Sequence, residues 1–265
     1  MIALVEPADY LGLVPTANRL RWRLPVVESL TTAQGSLFGG VALGAAATAL
    51  ERLTERPLVW ATAQYLAYAE PPATLDLDLI VAATGKHTTQ ARAIGSVDGM
   101  EIFTVNAALG DRPLELRGTW IEQPDVPPPD AFPNTALPEE VRSRISGRME
   151  LRLASDDGLA AVAGHGRLAI WARVPDLDPC SAMLAILGDT VPFGIRRVMG
   201  MRGSGNSLDN TLRVARVVPT DWVLLDIRVN AIEHGFGHGA VHLWAENGTL
   251  LGTASQSVII HPPPA

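Results

Sequence analysis

The feature that most constrains the fold of this chain is a pattern that occurs twice. Residues 77–109 can be aligned with residues 225–258 with a single one-residue gap. The whole chain has 265 residues, which is enough for two domains of roughly 100 to 150 residues each. One difference between the copies is polar against apolar, because Gln256 in the second copy takes the place of Ala107 in the first. The repeat predicts a duplicated domain, and the asymmetry predicts that chemistry is retained in the second half only.

Composition and charge limit the classes of function. The formal net charge is -7 and Lys and Arg are not clustered, which argues against a nucleic-acid partner because phosphates are bound by grouped cations. Cys180 is the only cysteine, so neither an internal disulfide nor a Cys-based zinc cluster can form. The first ten residues lack the basic start and long apolar stretch of a signal peptide. We therefore expect a cytoplasmic protein.

Hydrophobic periodicity predicts the elements of the first half. Residues 37–50 are apolar or small on every side, which indicates a buried helix, and 14 residues are too few to span a bilayer. Residues 19–24 alternate charged and apolar side chains, as a half-buried strand does. The same alternation follows from Leu75 to Leu79, and residues 100–109 indicate a further strand. A strand, a helix and about four more strands predict an antiparallel sheet wrapped around one helix.

A connector and a second unit of the same order follow. Residues 122–138 contain six prolines and no periodic pattern, which is typical of an extended linker. We therefore place an N-terminal domain at 1–121, the linker at 122–138 and a C-terminal domain at 139–265. In the second unit, residues 203–206 (GSGN) indicate a turn. The other predicted elements are strands at 148–153, 167–174, from 207 onward, at 222–230 and at 239–244, and a helix at 180–188.

Several motifs that could carry other chemistry are incomplete. His234, His238 and His242 are four residues apart, but the carboxylate and thiolate neighbours of a metal site are missing around them. No Gly-x-Ser-x-Gly elbow marks a serine nucleophile. We therefore expect neither a metal nor another cofactor.

Taken together, these elements and motifs resemble the type II acyl-CoA thioesterases, in which one polypeptide holds two hot-dog domains. The resemblance covers nearly the whole chain, and it implies an α+β double hot-dog fold, with two tandem domains that each wrap an antiparallel sheet around one central helix. The motifs that carry it are the segment 36–40 (SLFGG) at the first helix, Ser207-Leu208-Asp209 at the head of a strand that includes Arg216, Asp221-Trp222 at the next strand, the Asn247-Gly248 hairpin turn and the strand around Gln256.

The resemblance also implies a catalytic set, which falls on Asp189, Ser207 and Gln256. In the family, an Asp, a Thr or Ser and a Gln hold a water against the thioester carbonyl. Such a set makes chemical sense, because a carboxylate can take a proton from water while neutral polar groups fix the position of that water. Gly39 and Gly40, at the start of the first helix, have two readings: amides that hold an oxyanion, or space for close packing of helix and sheet.

Two departures from the family pattern bear on the substrate. Asn210 stands where relatives often have histidine, and Val41 replaces a common glutamine. The resemblance implies an acyl-CoA substrate and a fatty acyl-CoA hydrolase. Two alternatives are a hot-dog hydratase or dehydratase acting on an enoyl or hydroxyacyl thioester, and a non-catalytic acyl-CoA binding protein. Exposed sheet edges would favour a homodimer or larger homo-oligomer.

Overall fold

The computed structural model describes residues 5–154, 166–200 and 203–261, and its strands form one antiparallel sheet of 13 strands. The helices are α1 (Pro7–Leu11), α2 (Gly39–Thr54), α3 (Ser181–Gly188) and α4 (Val191–Val198). The strands are β1 (Val14–Pro15), β2 (Arg21–Val26), β3 (Leu58–Tyr65), β4 (Ala73–Thr84), β5 (Thr88–Val97), β6 (Met100–Gly110), β7 (Glu150–Leu153), β8 (Arg167–Arg173), β9 (Ser204–Ser207), β10 (Asp209–Val214), β11 (Val223–Glu233), β12 (Phe236–Ala245) and β13 (Leu250–His261). Their order across the sheet is β1-β2-β4-β5-β6-β3-β10-β13-β12-β11-β8-β7, and β9 pairs with β13.

The period-two pattern of β4 explains why one face of the sheet is dry. Leu75, Leu77 and Leu79 are buried on the inner face. Between them, Asp76 and Asp78 point outward and form ion pairs with arginines of the neighbouring strand β2. Leucines therefore turn to the core while carboxylates and guanidinium groups meet water, as the alternation predicts.

Small residues allow α2 to lie close to α3 inside the molecule. Eleven of the 16 residues of α2 are buried, in one run from Gly40 to Leu50. A Cβ atom added at Gly40 would lie 2.7 Å from the carbonyl oxygen of Ala185, and one added at Gly44 would lie 3.2 Å from that of Ala182. The two helices therefore run antiparallel and in close contact, and Gly40 has no room for a side chain. The predicted buried helix at 37–50 is confirmed, although it begins and ends a few residues later.

The two halves of the sheet meet at β3 and β10 around a local two-fold relation. Thr62 pairs with Thr211, and their hydroxyl oxygens are 2.6 Å apart. On either side, Trp60 pairs with Arg213 and residue 64 pairs with residue 209. Residues 60 and 209 are equivalent, as are residues 64 and 213, because 149 residues separate each two, as they separate Thr62 from Thr211. Exchanging the two strands therefore turns one pair into the other. The repeat seen in the sequence therefore appears in the structure as two equivalent strands joined side by side.

The proline-rich segment crosses the outer face of the second half of the sheet. The indole nitrogen of Trp171 donates a hydrogen bond to the carbonyl oxygen of Pro127, 2.9 Å away. Val126 and Phe132 pack against a small apolar cluster on this face. The cluster consists of Ala154, Trp171, Trp222, Leu224 and Trp244. The segment thus covers tryptophans that would otherwise be exposed to water.

The structure differs from the sequence prediction at three places. The turn predicted at 203–206 is wrong, because Ser204–Ser207 is strand β9 and pairs with the end of β13. Arg216 lies outside the strand that it was predicted to share with Ser207, because β10 ends at Val214. The short helix α4 was not predicted. Within the part of the chain that the structure describes, no helix is both long and apolar enough to cross a bilayer.

Candidate active site

The three predicted site residues, Asp189, Ser207 and Gln256, come together from three elements of the second half. Asp189 directly follows α3, Ser207 is the last residue of β9, and Gln256 lies in the middle of β13. The pairing of β9 with β13 sets Ser207 opposite Val258, two residues from Gln256. Sheet register therefore brings the hydroxyl and the amide together, and the end of α3 supplies the carboxylate.

A chain of hydrogen bonds connects the three side chains. The side-chain nitrogen Nε2 of Gln256 donates to Oδ1 of Asp189 and also lies 3.1 Å from Oγ of Ser207. The second carboxylate oxygen of Asp189 accepts a hydrogen bond from the backbone N–H of Gly40, at 2.6 Å. Because Gly40 belongs to the first half, the carboxylate is held from both halves of the chain. Only 7 % of Asp189 and 2 % of Gln256 is exposed, so both are fixed by protein contacts.

Burial changes the acidity of Asp189. It raises the pKa of this carboxyl from 3.8 to about 7, although the hydrogen bonds from Gln256 and from Gly40 act in the opposite direction. Desolvation disfavours the charged form of a carboxyl group, which explains the direction. A carboxylate with a pKa near neutrality can accept a proton from water and release it again, which is what a general base requires.

The glycine pair at the start of α2 is shaped by close contact. A Cβ atom at Gly40 would also lie 2.9 Å from Cβ of Asp189, and one at Gly39 would lie 2.8 Å from the Tyr65 hydroxyl and 2.9 Å from Oδ2 of Asp189. Both glycines are therefore closely packed. The sequence predicted close packing of helix and sheet, which holds for Gly39 against Tyr65 of β3, whereas Gly40 contacts the helix α3 instead. The Gly40 amide already binds Asp189. Gly39 is the first residue of the helix, so its N–H has no partner within the helix, and a role for it toward an oxyanion stays a prediction.

A cavity of about 570 Å³ lies beside these residues and is lined by Gly39, Asp189 and Ser207 among others. Its volume is within the usual range for small-molecule sites, roughly 300 to 1,000 Å³. Polar residues with exposed side chains, including Tyr68 and His261, stand at its rim, and Arg196 of α4 adds a positive charge. The apolar part of the lining comes from Leu37, Phe38, Ala42, Ile102, Phe103 and Phe193.

Two further polar residues lie in this region that were not predicted as site residues. Tyr65, the last residue of β3, lines the cavity, and Asn210 of β10 is fully buried. Among the described residues, the Tyr65 hydroxyl and both polar atoms of the Asn210 amide have no hydrogen-bond partner. Asn210 was noted only as a departure from the family pattern. No local sequence signal marks Tyr65, because its neighbours in space come from distant parts of the chain.

The first half has no polar counterpart of Ser207 or Gln256. The residues 149 positions earlier are Leu58 and Ala107, and both are buried in the core. Their pairing is equivalent, because Leu58 stands opposite Leu109 just as Ser207 stands opposite Val258. The contrast between Gln256 and Ala107 predicted from the sequence therefore exists between equivalent positions of the sheet.

The three spaced histidines lie apart from this site. His234 is in the turn between β11 and β12, with a φ of 53°. His238 shares a hydrogen bond with Ser257, and His242 is 3.5 Å from the buried carboxylate of Asp226. Asp226 also binds Arg167 and Arg228, and hydrogen bonds from these guanidinium groups lower its pKa against the opposing effect of burial. In the described ranges, no three His, Cys, Asp or Glu side chains form a group that could hold a metal.

Comparison with known proteins gives one matching family model and several similar structures. The model, described as the acyl-CoA thioesterase C-terminal domain, matches residues 123–260. A candidate thioesterase from Novosphingobium aromaticivorans is 30% identical, with a TM-score of 0.86, over 94% of this chain and 98% of that chain. A hot-dog protein of unknown function from Alicyclobacillus acidocaldarius is 21% identical with the same TM-score, over 97% and 98%.

A tesB protein from Mycobacterium avium subs paratuberculosis is 16% identical, with a TM-score of 0.79, over 97% of this chain and 98% of that chain. At such identities the two more distant structures bear on the fold alone, and that fold is of the hot-dog type. No protein of curated function matches the chain.

Proposed function

Because the chain belongs to the acyl-CoA thioesterase family, we propose that it hydrolyses fatty acyl-CoA to the free acid and CoA through a water held by Asp189, Ser207 and Gln256. The observation that carries this proposal is the connected set itself. A buried carboxylate with a pKa near 7 is joined through one amide to a hydroxyl, and the carboxylate and the hydroxyl line one cavity.

In the proposed reaction, the ionised Asp189 takes a proton from water as the water oxygen forms a bond to the thioester carbon. Ser207 and Gln256 hold the water in line with that carbon, which converts an encounter with bulk water into an oriented attack. Collapse of the tetrahedral intermediate breaks the C–S bond. The CoA thiolate leaves and takes the proton that Asp189 accepted from water, so Asp189 is ionised again for the next turnover.

The cavity supports an apolar acyl group. Leucine, isoleucine, phenylalanine and alanine side chains form part of its wall, and the rest is polar and includes Asp189 and Ser207. We infer that the acyl chain packs against the apolar wall and that the CoA moiety extends past Arg196 to the exposed rim. Burial of the acyl methylene groups would contribute about 0.8 kcal/mol each to binding.

The structure supports a tandem arrangement of two hot-dog units in one sheet. In each half, the main helices contact three or more of the long strands, α2 in the first half and α3 with α4 in the second. We propose a double hot-dog with domains at 1–121 and 139–265 joined by the segment 122–138. The homodimer or larger assembly expected from the sheet edges stays a prediction.

The test is release of free CoA thiol from a panel of saturated acyl-CoAs, from acetyl to palmitoyl, by wild-type protein and by Asp189→Asn. We expect turnover by the wild type and a loss of at least about a hundredfold in the variant, the usual size of a general-base effect. Glu51→Gln is a matched control. Glu51 is a partly buried carboxyl that also has a raised pKa, but it binds Ser181 and the N–H of Leu58 rather than the cavity residues.

The outcomes separate the alternatives. Turnover in Asp189→Asn at the wild-type rate would remove Asp189 from the mechanism. Acyl-CoA binding without thiol release would favour the non-catalytic reading. A change in enoyl absorbance with no thiol release would instead favour a hydratase or dehydratase.

A further inference from the structure

The hydroxyl of Tyr65 is a buried polar group at the proposed site that the water-holding set does not use. The ring is packed against the main core, and Tyr65 lines the same cavity as Asp189 and Ser207. Among the described residues the hydroxyl makes no hydrogen bond of normal geometry, and the side chain of Asn210, equally unpaired, lies within reach of it. A buried hydroxyl without a well-formed hydrogen bond is energetically unfavourable, so a group of this kind at a ligand cavity suggests a better partner that arrives with the ligand.

The position of the hydroxyl relates it to both the carboxylate and the helix start. A Cβ atom placed on Gly39 would lie 2.8 Å from the Tyr65 hydroxyl and 2.9 Å from Oδ2 of Asp189. The hydroxyl, the first residue of α2 and the carboxylate therefore converge on one small region. β3 fixes the tyrosine there, because its backbone N–H is bound to the carbonyl oxygen of Leu208 at 2.9 Å.

The chemical state of Tyr65 suits a hydrogen-bond donor. Burial raises the pKa of this phenol well above its usual value, and the nearby carboxylates of Asp189 and Asp209 raise it further, while the Asn210 side chain, within hydrogen-bonding reach of the hydroxyl, lowers it. The hydroxyl therefore keeps its proton across the neutral range. A neutral donor in a buried site can stabilise negative charge that develops on a carbonyl oxygen.

We propose that the Tyr65 hydroxyl donates a hydrogen bond to the carbonyl oxygen of the bound thioester and, with the N–H of Gly39, stabilises the oxyanion of the tetrahedral intermediate. This inference rests on the proposed function, since it needs a thioester at Asp189. The proposal adds the Tyr65 hydroxyl, from the first half of the chain, to the three water-holding side chains, which all come from the second half. Attack of water then places the negative charge on the oxygen that faces Tyr65.

The first test is the kinetics of Tyr65→Phe, which keeps the ring and removes only the hydroxyl. Loss of one oxyanion donor lowers kcat by about a hundredfold or more in known sites, with little change in KM. Tyr10→Phe is the matched control, because Tyr10 is also buried, also lacks a hydroxyl partner among the described residues and lies outside the cavity. We expect Tyr10→Phe to keep kcat within about twofold, since its hydroxyl does not face the substrate.

The second test measures binding of two unreactive CoA analogues. In one, a methylene replaces the thioester sulfur and keeps the carbonyl, and in the other a saturated thioether lacks the carbonyl. We expect Tyr65→Phe to weaken the first analogue about fivefold, as one neutral hydrogen bond does, and to leave the second unchanged. A purely structural role for Tyr65 would change both equally and would overturn the proposal.

The two proposals fail in different ways. Wild-type turnover that Asp189→Asn abolishes, together with full activity in Tyr65→Phe, would overturn the role of Tyr65 and leave the hydrolase intact. No turnover by the wild type on any acyl-CoA would overturn the proposed function and the role of Tyr65 with it.

Discussion

The buried carboxyl of Asp189 makes a quantitative prediction for stability. The folded pKa of about 7 lies above the ordinary value of 3.8, so the folded state holds the proton more tightly than the unfolded state does. This contribution to stability is complete below pH 3.8 and is lost as the pH rises to about 7. Asp189→Asn removes this titratable group. The oxygen of the new amide can still accept a hydrogen bond from the Gly40 N–H, and its nitrogen can donate to the oxygen of Gln256 once the Gln256 amide has flipped.

The size of the effect follows from the linkage between protonation and folding. Each pH unit between the two pKa values changes the free energy of unfolding by about 1.4 kcal/mol. From pH 5 to pH 8, the stability of Asp189→Asn relative to wild type should therefore rise by roughly 2.5 kcal/mol. In a chain of this size, that corresponds to a relative gain of about 5 to 10 °C in the melting temperature.

The measurement is the melting temperature of both proteins at half-unit steps from pH 5 to pH 8 in buffers of equal ionic strength. Asp111→Asn, which removes an exposed carboxylate, controls for the loss of a negative charge and should follow the wild type. The same ionisation predicts that kcat of the wild type rises with pH and levels off above about pH 7. A constant difference in melting temperature between Asp189→Asn and wild type would refute the reasoning.

Two further predictions concern the hydrogen-bonded set and the helix contact. Ser207→Ala and Gln256→Ala should each lower kcat by about tenfold or more, and the double variant should lose less than the product of the two effects because both groups hold one water. Full multiplicativity in thiol release would contradict a shared water. Gly40→Ala should lower the free energy of unfolding by about 1 to 3 kcal/mol, because its Cβ would lie 2.7 Å from a backbone oxygen of α3. Gly44→Ala, with its closest contact at 3.2 Å, should cost less in the same denaturation experiment, and equal costs would contradict the distance argument.

The elements that the sequence predicted well are those whose signal is local. The run of alanine and glycine in α2 and the alternation of Leu75, Asp76 and Leu77 report burial directly, since side-chain period follows backbone geometry. The equivalence of Gln256 and Ala107 was visible in the sequence because the two copies can be aligned along whole strands. The site residues Asp189, Ser207 and Gln256 came from the family resemblance, and their hydrogen bonds supply a geometry that residue types alone do not contain.

What the sequence did not predict depends on contacts between distant residues. Segment 203–206 has the composition of a turn, yet its pairing with the end of β13 makes it a strand, because strand formation depends on a partner as well as on propensity. Helix α4 has eight residues and carries Pro192 in its first turn, which gives a pattern too short to distinguish from a loop. The path of the proline-rich segment was not predicted either. It covers tryptophans on the outer face of the sheet, and the periodicity of the strands does not indicate that another segment lies over them.

The close approach of Gly40 to Asp189 across the seam between the halves has a consequence for how such a chain can vary. The proposed reaction centre belongs to both halves, because the carboxylate of one half accepts a hydrogen bond from the backbone of the other. Because the group that binds Asp189 is the backbone N–H of Gly40, the contact restricts the side chain at this position only in size. If the proposed mechanism holds, cavity side chains of the first half other than Tyr65 can therefore change without disturbing the carboxylate that acts on water. In the proposed mechanism the duplicated unit thus acts through both of its copies, because the backbone of one copy positions the carboxylate of the other.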